Sequence, residues 1–286
     1  MNTSLIIENL KKQYSGNEVL KGISFQVKEG EIFSLLGING AGKTTTLECI
    51  EGLRSFEEGK IDIRGSIGIQ LQSSSLPENI KVKEALLLFA KWKKASIDWG
   101  LTERLGLKEI ENKQYRQLST GQTRRLHLVL SIIGNPDIIF LDEPTAGLDV
   151  EGRSELHKEI RAMKSQGKTI IMTSHDMAEV EGLSDRLAIL KNGNIAFMGT
   201  SEELTGKEKE NYKLHIKSKV PLSIFQLHHC SFKAEHQGYI IFETLNLQEG
   251  LLEILTLAKE KEIEIEDIKI EHLSLEEGFL NIAKEV

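Results

Sequence analysis

A glycine-rich segment early in the chain has the spacing of a loop that binds phosphate groups. GINGAGKTT, residues 37–45, fits the pattern G-x-x-x-x-G-K-[ST] in full. The glycines allow a tight turn that directs backbone N–H groups at a phosphate, the lysine adds a mobile positive charge, and the hydroxyl offers a Mg²⁺ ligand. A glycine turn that matches by chance is the alternative. We expect phosphate contacts from Gly37, Asn39, Gly40, Ala41, Gly42, Lys43, Thr44 and Thr45.

Two adjacent carboxylates follow an apolar run later in the chain. IIFLDEP, residues 138–144, is typical of a buried strand that ends at Asp142 and Glu143. Such a strand would deliver Asp142 to a metal ion, while Glu143, on its other side, would face a water that attacks a terminal phosphate. Alone, the segment fits equally well a strand that enters an acidic turn. Behind a phosphate loop, it predicts the second half of a nucleotide site.

Four further features are informative only together with the phosphate loop and the acidic strand end. His175 follows the apolar run KTIIM, at the strand edge where open α/β sheets bind ligands. The ring of Tyr14 could stack on adenine, and Gln72 ends the strand-like IGIQLQ. Residues 118–125, LSTGQTRR, precede the helical run LHLVLSII, and the unpaired N–H groups of such a helix start are a natural anion seat. The chain therefore has two potential phosphate-binding segments, about eighty residues apart in the sequence.

The surrounding sequence alternates between strand and helix patterns. Residues 4–10, 23–27 and 31–37 are strand-like, a helix is expected from Lys43, and two short strands precede a mainly helical region that ends near residue 133. Three further strands then alternate with helices at 150–165 and 176–183, and KNGN is a hairpin turn. This order predicts an α/β fold with a mostly parallel, helix-covered sheet and extra antiparallel strands at its beginning.

A charged, glycine-containing stretch at residues 199–211 marks the expected boundary between two domains. We assign residues 1–206 to the nucleotide-binding domain and residues 207–286 to a small α+β appendage. In the appendage YKLHIKS, YIIFETL and IEIEDIKI are strand-like, whereas LQEGLLEILTLAKEKE has apolar residues at helical spacing.

Composition excludes several other classes. The 286 residues carry a net charge of −7, which argues against a nucleic-acid binder driven by overall charge, and the basic KWKK at 91–94 is first interpreted as a solvated helix face. Two distant cysteines indicate a reducing compartment, and HHC at 228–230 has no second ligand pair for zinc. No signal peptide or spanning apolar run is visible, so we expect a cytoplasmic protein.

Together these motifs resemble the nucleotide-binding subunit of ATP-binding cassette (ABC) transporters over about residues 4–205. Many families share the phosphate loop, but the signature segment LSTGQ is specific. The resemblance implies a P-loop NTPase of the ABC type, with an antiparallel β subdomain and a helical subdomain at about residues 73–133. In the family's order, the matching features are Tyr14 (A-loop), GINGAGKT (Walker A), Gln72 (Q-loop), LSTGQ (signature), IIFLDEP (Walker B), AGLD at 146–149 (D-loop) and His175 (switch histidine).

The resemblance also explains why the chain has a second potential phosphate-binding segment. In this family two cassettes meet head to tail around two ATP molecules, so Ser119, Gly121 and Gln122 would serve the partner's nucleotide. Thr120 replaces the usual glycine of the signature and Ile38 a frequent proline, and neither change removes a chemical group. By the same resemblance, catalysis is expected from Glu143, His175, Gln72 and Lys43, and Mg²⁺ binding from Thr44, Gln72 and Asp142.

The resemblance further implies an ATPase subunit that drives export through a separate integral membrane permease. It would act as a homodimer, peripheral on the inner face of the cell membrane, with no nucleic-acid partner. The appendage and the closing LSLEEGFL resemble bacterial ABC-2-type exporter ATPases. The alternative is a soluble ABC ATPase that acts on ribosomes or nucleic acid, although such members carry two cassettes or a long coiled-coil insertion. A non-hydrolysing sensor is disfavoured by Glu143.

Overall fold

The computed structural model describes residues 2–70, 76–206, 212–219, 227–272 and 279. The chain divides into two compact units, Met1–Gly199 and Thr200–Val286. In the first unit the strands are β1 (Thr3–Tyr14), β2 (Asn17–Lys28), β3 (Ile32–Leu36), β4 (Glu58–Ile63), β5 (Ile67–Gln70), β6 (Ile138–Asp142), β7 (Thr169–Ser174), β8 (Arg186–Lys191) and β9 (Asn194–Gly199). Its α-helices are α1 (Lys43–Ile50), α2 (Val82–Lys93), α3 (Trp99–Arg104), α4 (Thr120–Ile132), α5 (Val150–Ser165) and α6 (Met177–Leu183).

Two sheets organise the first unit. The larger has six strands in the order β5-β6-β7-β3-β8-β9, and all neighbours are parallel except the hairpin pair β8 and β9. The smaller is antiparallel, in the order β2-β1-β4. Every residue of β3, β6 and β7 is buried, as expected for parallel strands covered on both faces. These findings confirm the α/β fold class predicted from the sequence.

The strand β6 separates two apolar cores. Ile138 and Phe140 belong to the core shared with β1, β2 and α1, whereas Ile139 and Leu141 belong to the core shared with α4 and α5. Alternate strand residues point to opposite faces, so the next residue, Asp142, is directed to the α1 side. The sheet thereby aims this carboxylate at the helix that begins with the phosphate loop.

A glycine sets the close approach of helix α4 to the sheet edge. A Cβ atom on Gly68 of β5 would lie 2.1 Å from the carbonyl oxygen of Ser131 in α4. No side chain fits in this space, so only glycine allows the two backbones to approach this closely. The helical subdomain is packed against the edge of the sheet through this contact.

The elements of the second unit are α7 (Ser201–Gly206), β10 (Tyr212–Ser218), β11 (Ser231–His236), β12 (Tyr239–Thr244), α8 (Leu247–Glu260) and β13 (Ile265–His272). Its strands form a four-stranded antiparallel sheet in the order β11-β12-β10-β13. Strand β11 is not predicted from the sequence, because all its residues are exposed at a sheet edge and lack the alternation of a half-buried strand. Of the LSLEEGFL segment, only Phe279 lies within the described residues.

Candidate nucleotide-binding site

The phosphate loop connects β3 to α1. Gly42 caps α1 at φ 106°, in the left-handed region, and a Cβ on Gly37 would lie 2.7 Å from the carbonyl oxygen of Leu190. These two positions therefore require glycine. The backbone N–H of Ala41 donates to the carbonyl of Ile38 at 3.1 Å, and the Ala41 side chain is buried in the core.

Lys43 lies against the loop that it terminates. Its Nζ donates to the carbonyl oxygen of Gly37 at 2.7 Å. Burial lowers the pKa of Lys43, while the carboxylates of Glu143 and Asp142 oppose that change. The ammonium group is thus held in a poorly hydrated position near two negative charges, where its interaction with a phosphate is stronger than in bulk water.

Asp142 is buried at the end of β6. Burial raises its pKa, and hydrogen bonds from the hydroxyls of Thr173 and Thr44 act in the opposite direction. The Thr173 hydroxyl donates to Asp142 Oδ1 at 2.5 Å. The Asp142 carboxylate and the Thr44 hydroxyl are therefore adjacent. Hard oxygen donors of this kind suit Mg²⁺.

Glu143 leaves the strand through an unusual backbone conformation. Its φ is +48°, a left-handed value that is uncommon for a non-glycine residue. Its N–H donates to Thr173 Oγ1 at 3.0 Å, and its Oε1 lies 3.3 Å from Nδ1 of His175. The direction of this carboxylate follows from the turn and not from strand alternation, because β6 ends at Asp142. The histidine ring remains largely exposed beside it.

Eight of the predicted nucleotide-site residues line one open cavity of about 820 Å³. Its lining includes the phosphate loop together with Glu143 and His175. Residues far apart in the chain thus meet at the carboxyl end of the parallel strands, where such sheets bind ligands. The phosphate-loop residues that line it are Ile38, Asn39, Gly40, Gly42, Lys43, Thr44 and Thr45.

Tyr14 is among the predicted residues that do not line this cavity. Tyr14 ends β1, and its ring is flanked by Lys12 Nζ at 5.3 Å and Arg54 Cζ at 5.4 Å from the ring centroid. These distances are within cation–π range, so the ring already lies in a cationic environment. Gln72 lies outside the described residues.

The signature segment forms the N-terminus of α4. Ser119 is the N-cap: its Oγ accepts from the N–H of Gln122 at 3.2 Å, and Gln122 Oε1 accepts from the N–H of Ser119 at 3.2 Å. The S-x-x-Q pattern of the sequence is typical of such a capping box, whereas the resemblance predicts only a nucleotide contact for Gln122. A Cβ on Gly147 of the D-loop would lie 3.1 Å from Thr120 Cγ2, so the signature packs directly on the D-loop of its own chain.

A third carboxyl group, that of Glu51, lies close enough to Asp142 to interact with its charge. Glu51 follows α1, is only 8% exposed, and neither of its carboxyl oxygens has a hydrogen-bond partner among the described residues. Burial, with repulsion from Asp142 and Glu48, raises the pKa of Glu51 from 4.5 to about 8. The neutral acid is therefore the stable form at neutral pH. Its sequence context, ECIEGL, gives no sign of this.

Comparison with known proteins agrees with this geometry. The ABC transporter family model matches residues 20–146. An uncharacterized ABC transporter ATP-binding protein of Methanocaldococcus jannaschii is 38% identical over 232 residues, covering 77% of this chain and 88% of that protein. Nod factor export ATP-binding protein I of Ralstonia nicotianae is 35% identical over 222 residues, covering 71% and 69%.

A solved structure of an ATP-binding subunit of an ABC transporter superposes with a TM-score of 0.66 at 26% identity, covering 72% of this chain and 93% of that one. In the described part of this chain, none of the helices combines the length and the apolar character needed to cross a bilayer. The family match, the relatives and the nucleotide-site geometry agree: the chain belongs to the ATP-binding proteins of ABC transporters and is an ATP-hydrolysing enzyme.

Proposed function

We propose that this chain is the ATPase subunit of an exporter, that it works as a homodimer with MgATP, and that a separate membrane permease carries the substrate. The observation that supports it most is the cavity that the phosphate loop lines together with Glu143 and His175. The Nod factor relative, whose name includes export, supports the direction of transport. The proposed location is the inner face of the membrane, where the permease would hold the subunit.

The site residues divide the chemistry of ATP hydrolysis among themselves. Backbone N–H groups of the phosphate loop and the Lys43 ammonium would bind the β- and γ-phosphates. Thr44 and Asp142 would hold Mg²⁺, which neutralises phosphate charge when bound. Glu143 Oε1 would accept a proton from the attacking water, and the adjacent His175 would orient that carboxylate and contact the γ-phosphate. Lys43, Thr44, Glu143 and His175 all line the same cavity, and Asp142 is hydrogen-bonded to the Thr44 hydroxyl.

A second copy would complete the site. Ser119 and Gly121 begin α4, and neither lines the cavity of its own chain among the described residues. The helix N-terminus, with its positive dipole and free N–H groups, suits a γ-phosphate presented by another subunit. The exposed side chains of Ile38, in the phosphate loop, and Val150, beside the D-loop, would become covered in such a dimer.

A groove between β5, α2 and α4 is the proposed contact with the permease. It has a volume of about 460 Å³ and a mainly apolar wall that includes Leu53, Phe89 and Trp92. Gln70 lies at its floor, is 1% exposed, and neither polar atom of its amide has a partner among the described residues. The Trp92 side chain at this wall is 71% exposed, and an exposed apolar wall of this kind suits a protein partner.

Replacement of Glu143 by Gln tests the catalytic assignment. The amide cannot accept the proton, so the ATPase rate should fall by about 10²- to 10⁴-fold. The groups that hold ATP remain, so an ATP-dependent dimer should persist in size-exclusion chromatography. Glu109→Gln, an exposed carboxyl change elsewhere, is the matched control. A Glu143→Gln protein with most of its activity contradicts the assignment.

Mixed dimers test the role of the second copy. Ser119→Arg blocks the signature of one subunit, and Lys43→Ala disables the phosphate loop of the other. Each mutant alone has no complete site, whereas the heterodimer would have one. ATP-dependent dimerisation should therefore return only on mixing. Its absence from the mixture excludes a shared site.

Photo-crosslinking tests the permease groove. A photoreactive amino acid in place of Trp92 should capture a protein with membrane-spanning helices, whereas the same probe at exposed Lys60 of β4 should not. Capture of a ribosomal protein or nucleic acid at position 92 instead favours the soluble alternative and contradicts the transport role.

A further inference from the structure

One buried hydroxyl contacts both acidic residues at the end of β6. Thr173 of β7 has no exposed surface and is paired with Asp142 in the parallel register. Its Oγ1 lies 2.5 Å from Asp142 Oδ1 and 3.0 Å from the backbone nitrogen of Glu143. The same oxygen atom thus takes part in both contacts.

The donor and acceptor roles in this bridge follow from the chemistry. A backbone N–H can only donate, so the Thr173 oxygen accepts from Glu143 through a lone pair. A hydroxyl has a single proton, which is then directed to the carboxylate of Asp142. Both functions of the hydroxyl are used at once, and each ties a different acidic residue to β7.

The bridge acts at a residue whose backbone conformation is unfavourable by itself. A left-handed φ is unfavourable for an L-residue such as Glu143, so contacts with the surrounding structure must hold this conformation. The bond from the Glu143 N–H to Thr173 is a direct restraint on it. Because the turn directs the Glu143 carboxylate towards His175, the restraint also determines the geometry of the proposed base.

The adjacent hydroxyl on β7 has a different task. Ser174 Oγ donates to Glu179 Oε2 and accepts from the N–H of Asp176 at 3.0 Å, so it organises the start of α6. Strand alternation places Thr173 and Ser174 on opposite sides of β7. The hydroxyl that bridges the two acidic residues of β6 therefore belongs to Thr173.

We propose that Thr173 is a positioning residue that orients the Mg²⁺-binding carboxylate of Asp142 and the base Glu143 through one shared hydroxyl. The inference rests on the proposed function and extends it to a residue outside the motifs. Thr173 would act on hydrolysis and on the Mg²⁺-dependent part of ATP binding, and not on ATP binding as such.

Thr173→Val tests this proposal, because valine has nearly the same shape and no hydroxyl. A hydrogen bond to a charged group is worth about 10- to 100-fold in an equilibrium. We expect kcat to fall by about that factor, and the gain in ATP affinity on adding Mg²⁺, measured by calorimetry, to fall by about tenfold. The affinity for ATP in EDTA should stay within about threefold, and Thr173→Ser should restore both quantities to within about threefold.

Thr169→Val is the matched control for the cost of removing a buried hydroxyl. Thr169 lies at the other end of β7, where its Oγ1 accepts from the N–H of Gly30 at 3.0 Å. This variant should be less stable but should keep kcat and the Mg²⁺ effect within about twofold. Thr173→Ala, with no steric demand, replaces Thr173→Val if the latter does not fold.

Three results would overturn the inference: unchanged kcat and Mg²⁺ effect in the hydroxyl-free variant, an equal loss of ATP affinity in EDTA, or no recovery in Thr173→Ser. The Glu143→Gln variant distinguishes a failure of the positioning role from a failure of the proposed function. If that mutant loses hydrolysis as expected while Thr173→Val does not, the positioning role alone is wrong.

Discussion

The buried carboxyl of Glu51 makes stability depend on pH in a way that one substitution should abolish. In the folded protein the pKa of Glu51 is about 8, against 4.5 for an ordinary glutamate. Between these values the folded chain holds a proton that the unfolded chain releases, so the free energy of unfolding falls as pH rises through this window. Glu51→Gln keeps the shape of the neutral acid and cannot ionise.

The expected magnitude follows from the pKa difference. Each pH unit between the two pKa values is worth about 1.4 kcal/mol, and the window spans about 3.5 pH units. Relative to wild type, Glu51→Gln should therefore raise the free energy of unfolding by up to about 5 kcal/mol at pH 9, and by less than about 1 kcal/mol at pH 5. A constant offset between glutamate and glutamine cancels when the two pH values are compared.

Urea unfolding of the nucleotide-free protein from pH 5 to pH 9 measures this difference. EDTA should be present, because a cation held by Asp142 would favour the ionised form of Glu51. The fluorescence of Trp92 and Trp99, the two tryptophans of the chain, reports on the first unit. Glu29→Gln, an exposed carboxyl change, should follow wild type. If the Glu51→Gln and wild-type curves run parallel across this range, Glu51 is not a buried neutral acid.

Three further predictions concern other parts of the first unit. Burial lowers the pKa of His127 from 6.5 to about 4, so the folded protein should lose up to about 3.5 kcal/mol as pH falls through that window, and His127→Gln should lose less in urea unfolding. Gly68→Ala, with its Cβ 2.1 Å from the Ser131 oxygen, should lower the free energy of unfolding by more than about 2 kcal/mol, and a loss below about 0.5 kcal/mol would contradict the close packing. Gly147→Ala should destabilise more than Gly167→Ala, because both have positive φ but only Gly147 lacks room for a Cβ; equal thermal shifts would refute this.

Local sequence was sufficient for the parts of the site that depend on short-range chemistry. The phosphate loop is a contiguous segment whose glycines, Lys43 and Thr44 act through their own backbone and side chains. Strand β6 was readable because an apolar run ends at Asp142. Helix α5 also begins and ends where the pattern predicts, at Val150 and Ser165. In each case the signal and its physical cause lie within a few residues.

Contacts between distant segments could not be predicted in this way. The direction of Glu143 depends on a left-handed turn and on a hydroxyl thirty residues later in the chain, at Thr173. The pKa of Glu51 depends on how completely the surrounding protein excludes water, and the edge strand β11 has no apolar alternation.

The family, the fold class and the identities of the groups that can handle a nucleotide can all be predicted from the chain alone, because each follows from local pattern and residue chemistry. Three other properties become visible only in the folded protein: which groups meet, how far each is desolvated and where the backbone is strained. These properties depend on the packing of β6 against β7 and α1, and that packing joins residues that local sequence cannot relate.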